Sequence, residues 1–475
     1  MNDEEMVREV FSWQGVYSYL IDKNQKAAVD AASDTILMKH PFKTMIDNEE
    51  MWYYKEGCYY PNAENIVKKI LQDQETIKTK LSSNFVNEVI QSVKRKTYIN
   101  REDFEAPLHL ICVKNGTYNL QTKTIELHDP KNYFKSKIDI NYNPSADCPK
   151  IKKFIQEVSE QKSFWTLFEI PAYLLYRGYN IQKAVMLNGT NDNGKSVYIN
   201  LLETFIGQKN FSSEELQQIC HNTFSKAELF GKIMNSCADL PATIMEDTGD
   251  FKKLTAFDMI SAQRKFGQPF QYRSYAKLIF SANEVPESKD QTDAFFKRWI
   301  IIDFPFKFVV GLTLDKVTEK EKIADPYILS KITTPEELEG LLNVSLQLLE
   351  RLLEKGCFSY NPPVVDIRNR YLIKSNSAVV FIETELVDST PDEMKDTDYE
   401  PFVEKELLWN EYLEFCKVKR TNSKTLTAFY LEIKNRWSSY TEKRSISIGV
   451  RKNCFIGIRY LGKWRSEQLE VSNCQ

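Results

Sequence analysis

Lys183-Ala184-Val185-Met186-Leu187-Asn188-Gly189-Thr190-Asn191-Asp192-Asn193-Gly194-Lys195-Ser196 runs on into Val197-Tyr198-Ile199-Asn200-Leu201-Leu202-Glu203-Thr204-Phe205-Ile206-Gly207. An apolar run from Ala184 to Leu187, a polar glycine loop and a helical spacing of apolar residues follow one another. Gly207 stands where a helix C-cap favours a residue free to take positive φ. The loop fits G-x-x-x-x-G-K-[ST], and each fixed position has a physical task. Gly189 and Gly194 let the backbone turn so that successive N–H groups face a phosphate. Thr190, Asn191, Asp192 and Asn193 suit a polar turn. Lys195 is placed to reach the β- and γ-phosphates, Ser196 to offer an oxygen to Mg²⁺, and the helix N-terminus adds a favourable dipole. The stretch predicts a strand–loop–helix unit that binds ATP with Mg²⁺.

The next hundred residues narrow the chemistry. Gly231 to Asp239 reads as a strand ending in an acid, where a metal-holding carboxylate belongs, although a plain surface carboxylate is the competing reading. Ala276 to Ala282 reads as a buried strand that delivers Asn283 to its C-terminal end, where an amide can hydrogen-bond both water and γ-phosphate. Asp293-Ala294-Phe295-Phe296-Lys297-Arg298 leads into the apolar run Trp299 to Phe304, which puts a cation at the start of a buried strand. Strands alternating with helices imply a mainly parallel sheet with its ligand at the C-terminal strand ends.

The succession of this loop, Asp239, Leu254-Thr255-Ala256-Phe257-Asp258, Gln263-Arg264-Lys265-Phe266, Phe280-Ser281-Ala282-Asn283-Glu284-Val285-Pro286 and Lys297-Arg298-Trp299 resembles the superfamily 3 helicases. The branch it resembles is that of plasmid, phage and poxvirus primase-helicases. The resemblance implies a P-loop, AAA+-like ATPase core in a homo-hexameric ring acting on DNA. It assigns the Walker B acid to Asp239, the sensor asparagine to Asn283 and an arginine finger acting on the neighbouring subunit to Arg298. It also implies a hairpin that grips DNA in the ring's channel, with Lys265 and Phe266 at its tip. The sequence departs from the family at Ala238, where an acid often precedes the Walker B aspartate.

Composition bounds the rest. A chain of 475 residues exceeds one core and implies two to four domains. Hydrophobic residues at 42 % and charged ones at 27 % are ordinary for a soluble globular protein, and a net charge of −3 hides any local basic patch. Nine cysteines without a C-x-x-C and only four histidines argue against zinc ribbons and disulfide frameworks. They fit a reducing compartment, the cytoplasm of a host cell. No apolar run reaches the length of a membrane helix, and the opening Met1-Asn2-Asp3-Glu4-Glu5 is no signal peptide.

Residues 1–148 read as an α+β accessory domain. A helical spacing runs from Met6 to Ile21 and a helix from Ala63 to Gln72. Trp52 to Tyr60 forms an aromatic hairpin around Glu56-Gly57, and a second hairpin turns at Asn115-Gly116. Its aromatics are expected in a core rather than as a base-stacking platform. Two-metal primase chemistry needs paired carboxylates on a strand. None is evident, so a primase or polymerase would act in trans.

The ATPase core is placed at 149–310 and a helical lid or packing segment at 311–382, with a capped helix starting at Thr334-Pro335. An acidic linker follows at 383–400. Residues 401–475 read as a basic, winged-helix-like module of two helices and a β-hairpin. Between Lys417 and Arg465, Lys417, Lys419, Arg420, Lys424, Lys434, Arg436, Lys443, Arg444, Arg451, Lys452, Arg459, Lys463 and Arg465 stand against only Glu432 and Glu442. Such a local excess is the footprint of phosphate contacts. Lys424, Lys434, Arg436, Lys443, Arg444, Arg451 and Lys452 are its candidate DNA contacts. Two functions fit this organisation: an ATP-driven DNA helicase replicating a plasmid, virus or mobile element, and an ATP-switched DNA-binding initiator or assembly factor that does not unwind.

Overall fold

The apolar runs around the glycine loop become neighbouring strands of one sheet. In the computed structural model, which describes residues 3–310, 321–388, 402–419, 421–436, 441–447, 450–456, 458–462 and 464, this sheet has five strands. Their order is Trp299–Asp303, Ala184–Asn188, Lys277–Ala282, Met234–Cys237 and Phe211–Ser212, and every pairing is parallel. The three strands Trp299–Asp303, Ala184–Asn188 and Lys277–Ala282 read as largely apolar runs because both faces are covered. Val185, Leu187, Ile279, Ile300 and Ile302 face one core, which the helices Lys195–Ile206, Pro149–Val158 and Phe164–Leu175 complete. Ala184, Met186, Leu278, Phe280, Trp299 and Ile301 face the other.

That second core also contains Met45, Trp52, Tyr59 and Phe104 from the N-terminal region. The aromatic hairpin is therefore core, as its pattern predicts. Trp52 packs edge-on against Phe104 at 5.9 Å and against Phe230 of the sheet region at 6.2 Å. The N-terminal region builds a four-stranded sheet, in the order Cys58–Tyr60, Met51–Lys55, Phe42–Met45, Tyr98–Ile99, with helices that include Gln25–Lys39, Glu64–Asp73 and Ser83–Lys96. Because it shares side chains with the parallel sheet, a boundary at 148 separates pattern rather than packing.

After the core, the helix Pro335–Lys355 starts at its Thr334 cap and ends at Gly356, whose φ of +67° suits glycine. It is a packing helix. Glu337 on its first turn accepts from the backbone N–H groups of Lys150 and Ile151, capping the helix Pro149–Val158. From its partner helix Phe164–Leu175, fully buried Glu169 receives Arg351, the Ser359 N–H and the Ser359 hydroxyl.

Two expected boundaries move. The strand expected to end at Asp239 covers only Met234–Cys237: its last ladder pair is Cys237 with Phe280, and Ala238 and Asp239 lie beyond it. The acidic stretch from 383 does not begin a linker. Glu383 and Glu385 end the helix Ser377–Glu385, and Leu386–Asp388 is a strand paired with Ile458–Tyr460. Ala378, Phe381, Ile382 and Leu386 belong to the C-terminal core with Tyr412, Phe415, Phe429 and Phe455. Acid content concealed this buried face; the remainder of the expected linker lies outside the described residues. The C-terminal unit thus runs helix Ser377–Glu385, strand Phe402–Glu404, helices Lys405–Lys419 and Leu426–Arg436, and hairpin Thr441–Ser447 with Val450–Ile456. No helix among the described residues is long and apolar enough to cross a membrane.

Candidate nucleotide site and nucleic-acid interface

Parallel strands bring their C-terminal ends to one edge, and the register brings the chemistry together there. Asn188 pairs with Ala282 on one side and Asp303 on the other, so Gly189, Asn283 and Phe304 emerge side by side. The loop is held by close backbone approaches. A Cβ on Gly189 would lie 2.1 Å from Asn193 Nδ2 and 2.7 Å from the Phe304 carbonyl oxygen. Gly194 has φ +89°, and a Cβ there would meet Val158 Cγ1 at 2.8 Å. Buried Asn193 donates to the Phe304 carbonyl at 3.2 Å, while its Oδ1 accepts from Lys195 N at 3.3 Å. Asp192 supplies a carbonyl to Phe308 N at 2.6 Å.

Lys195 is 5 % exposed. Its ammonium donates to the carbonyls of Gly189 at 2.5 Å and Thr190 at 2.8 Å, to Asn193 Oδ1 at 3.2 Å and to Asn283 Oδ1 at 3.1 Å. Burial lowers its pKa to about 8, against the opposing pull of Asp239. The Asn283 amide, Lys195 and Asp239 therefore share one electrostatic site. Asp239 and Ser196 are both exposed, and neither hydroxyl nor carboxylate is engaged by a hydrogen bond among the described residues. No group of three potential metal ligands occurs among those residues. Two free oxygens beside the glycine loop suit Mg²⁺, which keeps most of its waters and takes few protein ligands.

Cavities flank the loop. One of about 970 Å³ runs from Asp192, Gly194 and Val197 over Phe154, Phe308 and Ile328, with Lys150, Lys153, Lys307 and Lys331 at its margin. It combines apolar walls with cations. The other, about 280 Å³, lies between Gly189, Thr190, Asn283 and Asp303 on one side and Cys416, Lys417, Thr421 and Asn422 on the other.

The sequence did not disclose an ionic cluster behind this second cavity. Asp303 receives Arg370 at 2.6 Å, Lys374 at 2.8 Å and Asn188 Nδ2 at 3.3 Å. Burial opposes the charge on Asp303, but Lys374 and Arg370 outweigh it and hold the carboxyl below its usual range. The four-residue spacing of the two cations on helix Val364–Ser375 was its available signal.

Arg298 is not in this cluster. Trp299 pairs with Ala184, which puts Arg298 at the opposite end of the sheet. It is 9 % exposed, and its guanidinium donates to the carbonyls of Lys252, at 3.3 Å, and Ala294.

Met259–Gln263 and Pro269–Arg273 pair as an antiparallel hairpin with Lys265 and Phe266 in its turn. Phe266 is 97 % exposed at φ +65°, with the Lys265 ammonium 5.3 Å from its ring. The N-terminal region braces the hairpin, which the sequence did not reveal. Arg264 pairs with Glu50 at 3.2 Å. Arg101, held by Asp47 at 2.7 and 3.0 Å, lies over Phe230 and Phe270.

The basic residues of the C-terminal unit divide. Lys424 is turned inward onto Glu284 and does not stand in the open as a phosphate contact would. Arg436 lies 3.5 Å from Glu383 at the surface, and Lys434 is exposed on the same helix. Lys443 and Arg444 lie on one hairpin strand, Arg451 and Lys452 on the other; their side chains fall outside the described residues.

Residues 9–160 match a family described as "D5 N terminal like", and residues 187–298 match a "Family of unknown function (DUF5906)". The second region contains Lys195, Asp239, Asn283 and Arg298. The chain is 24 % identical over 320 residues, 61 % of its length, to "Putative helicase 121R" of Invertebrate iridescent virus 3, and covers 34 % of that protein. It is 24 % identical over 272 residues, 52 % of its length, to "Putative helicase V13" of Sputnik virophage, and covers 33 % of it. The chain thus spans about a third of the length of these curated relatives. The solved apo C-terminal region of NrS-1 aligns over 90 % of this chain and 98 % of that one, at 12 % identity and a TM-score of 0.42. A D5 N-terminal-like region thus lies ahead of the region that holds the candidate site, and the viral relatives this chain is similar to are named putative helicases.

Proposed function

We propose that this chain is the motor part of an ATP-dependent DNA helicase of superfamily 3, working as a homo-hexameric ring in the replication of a virus, plasmid or mobile element. The observation that carries the reading is the meeting of Lys195, Asn283 and Asp239 at the C-terminal edge of the sheet, at the mouth of the glycine loop. The larger cavity suits a nucleoside, with apolar walls for the base, and the smaller one suits the γ-phosphate end. Lys195 holds the β- and γ-phosphates, and Asn283 orients the attacking water beside it. Ser196 and Asp239 would hold Mg²⁺, which when bound would supply positive charge against the phosphates. Arg298 serves the neighbouring subunit's site. The hairpin tip, Lys265 with exposed Phe266, is the DNA lever: a cation for phosphate and a ring for base stacking. The winged-helix-like C-terminal module anchors DNA through its basic hairpin, and a primase or polymerase acts in trans. Strand displacement measured beside DNA-stimulated ATPase tests the reading; ATP hydrolysis that never separates strands favours the ATP-switched initiator instead.

A further inference from the structure

Asn283 and Glu284 lie just beyond the last ladder residue, Ala282, so the sheet does not fix their backbone. The C-terminal part of the chain does. Asn422 Nδ2 donates to the Asn283 carbonyl at 3.1 Å, Lys424 pairs with Glu284, and Val285 N donates to the Lys374 carbonyl at 3.3 Å. The loop carrying Asn422 and Lys424 joins the two helices of the basic unit and is itself tied to that unit's core. Ser377 Oγ donates to the Asn422 carbonyl at 2.9 Å, and Lys424 N donates to the Tyr412 hydroxyl at 2.8 Å. Tyr412 is fully buried and stacks on Phe429 of the helix Leu426–Arg436, ring centroids 4.3 Å apart. A continuous path therefore runs from that helix, through Tyr412 and the loop, to the backbone of the residue whose amide touches Lys195.

We infer that Asn422 and Lys424 are positioning residues for ATP hydrolysis, through which the basic C-terminal unit sets the Asn283 amide against Lys195. The inference rests on the ATPase reading above. A two-point grip on consecutive residues, one on the carbonyl and one on the next side chain, fixes the peptide's rotation as well as its place. Rotation of that peptide swings the Asn283 amide away from the ammonium. Nucleic acid that shifts the helix Leu426–Arg436 is thereby felt at the hydrolytic site without touching it. The Asn422 side chain is exposed and Lys424 half-buried, so their replacement leaves the core intact.

The test is steady-state ATPase on the full chain, with and without duplex DNA, for wild type, Lys195→Ala, Asn422→Ala/Lys424→Gln, Lys424→Glu, and the charge exchange Lys424→Glu/Glu284→Lys. Misplacing an orienting group by about 1 Å costs about 10²-fold, so the double variant is expected to lose about that in kcat. Its KM for ATP and its melting temperature should stay at the wild-type values, and stimulation by DNA should be lost. The charge exchange is expected to recover most of the rate lost by Lys424→Glu alone, as coupled pairs do. Wild-type kcat in the double variant, a raised KM with unchanged kcat, or no recovery in the exchange overturns the inference. Turnover retained by Lys195→Ala instead overturns the ATPase reading, so the two failures are told apart.

Discussion

The Lys195 ammonium donates to the Asn283 amide oxygen at 3.1 Å, joining residues 88 positions apart in sequence. The contact exists because parallel pairing sets Asn188 and Ala282 level, so the residues beyond each strand end meet. It gives the site a donor and an orienting amide in one place. Asn283→Ala removes the amide while leaving the loop's own bonds to Lys195. Loss of a single preorganised group costs about 10²–10³ in rate, so kcat is expected to fall by about that with little change in KM for ATP. A rise in KM alone in steady-state kinetics would place Asn283 in binding rather than hydrolysis.

Burial brings the Lys195 pKa down to about 8. Below that pH the ammonium is present; above it the free protein loses the charge. A bound phosphate favours the charged form and raises the pKa again. Nucleotide binding is therefore expected to take up a proton above about pH 8, with affinity falling as pH rises, and to take up none near about pH 6. Calorimetry of nucleotide binding in buffers of different ionisation enthalpy reads the proton directly. Affinity and proton uptake that are flat across this window contradict the assignment.

Arg298 faces carbonyls of its own chain in this structure, and a trans role needs it at a subunit boundary. Arg298→Ala is expected to bind ATP but to lose about 10³-fold or more in turnover, as arginine-finger variants do. Mixed with Lys195→Ala, it should regain part of the activity, since each subunit supplies what the other lacks. If confirmed mixed assemblies show no rescue at any ratio, Arg298 supports its own subunit's fold instead.

Phe266 is almost wholly exposed, so Lys265→Ala and Phe266→Ala should shift stability by no more than about 0.5 kcal/mol. Both are expected nearly to abolish unwinding and to weaken stimulation of ATPase by DNA, with little change in duplex affinity at low salt. Arg101→Ala, which leaves Asp47 unpaired and the ring pocket of Phe230 and Phe270 open, should reduce unwinding through the brace and lower the melting temperature as well. An unwinding rate untouched by Phe266→Ala would remove the hairpin from the DNA path.

The basic hairpin is tested by salt. Replacing Lys443, Arg444, Arg451 and Lys452 with Ala should lower the slope of log affinity against log salt by about 0.9 for each phosphate that is no longer neutralised. Duplex binding titrated over a salt series with an unchanged slope would show that these residues do not hold the DNA.

What the sequence made legible follows from where each signal lives. Strand runs such as Ala184–Asn188 and Lys277–Ala282 are apolar because both sheet faces are covered, and the glycine loop is fixed by turn chemistry; both are local. The aromatic hairpin at Trp52 was likewise readable as core. The grip of Asn422 and Lys424 on residues 283 and 284 spans about 140 positions and uses single polar contacts, which leave no periodicity. Lys424 read as one more cation in a basic stretch, since charge counts carry no direction. The helix Ser377–Glu385 was hidden in the acidic stretch because its buried face, Ala378, Phe381 and Ile382, is short. The Arg101 clamp on the hairpin is tertiary in the same way.

The most direct test of the proposed motor is strand displacement on a forked DNA duplex, run beside ATPase measured with and without DNA, for wild type and folded Lys195→Ala. Wild type is expected to separate the strands only when ATP is supplied and to hydrolyse ATP faster with DNA, while Lys195→Ala does neither. Wild-type unwinding or turnover in Lys195→Ala, or DNA-stimulated hydrolysis by the wild type that never separates the strands, would contradict it.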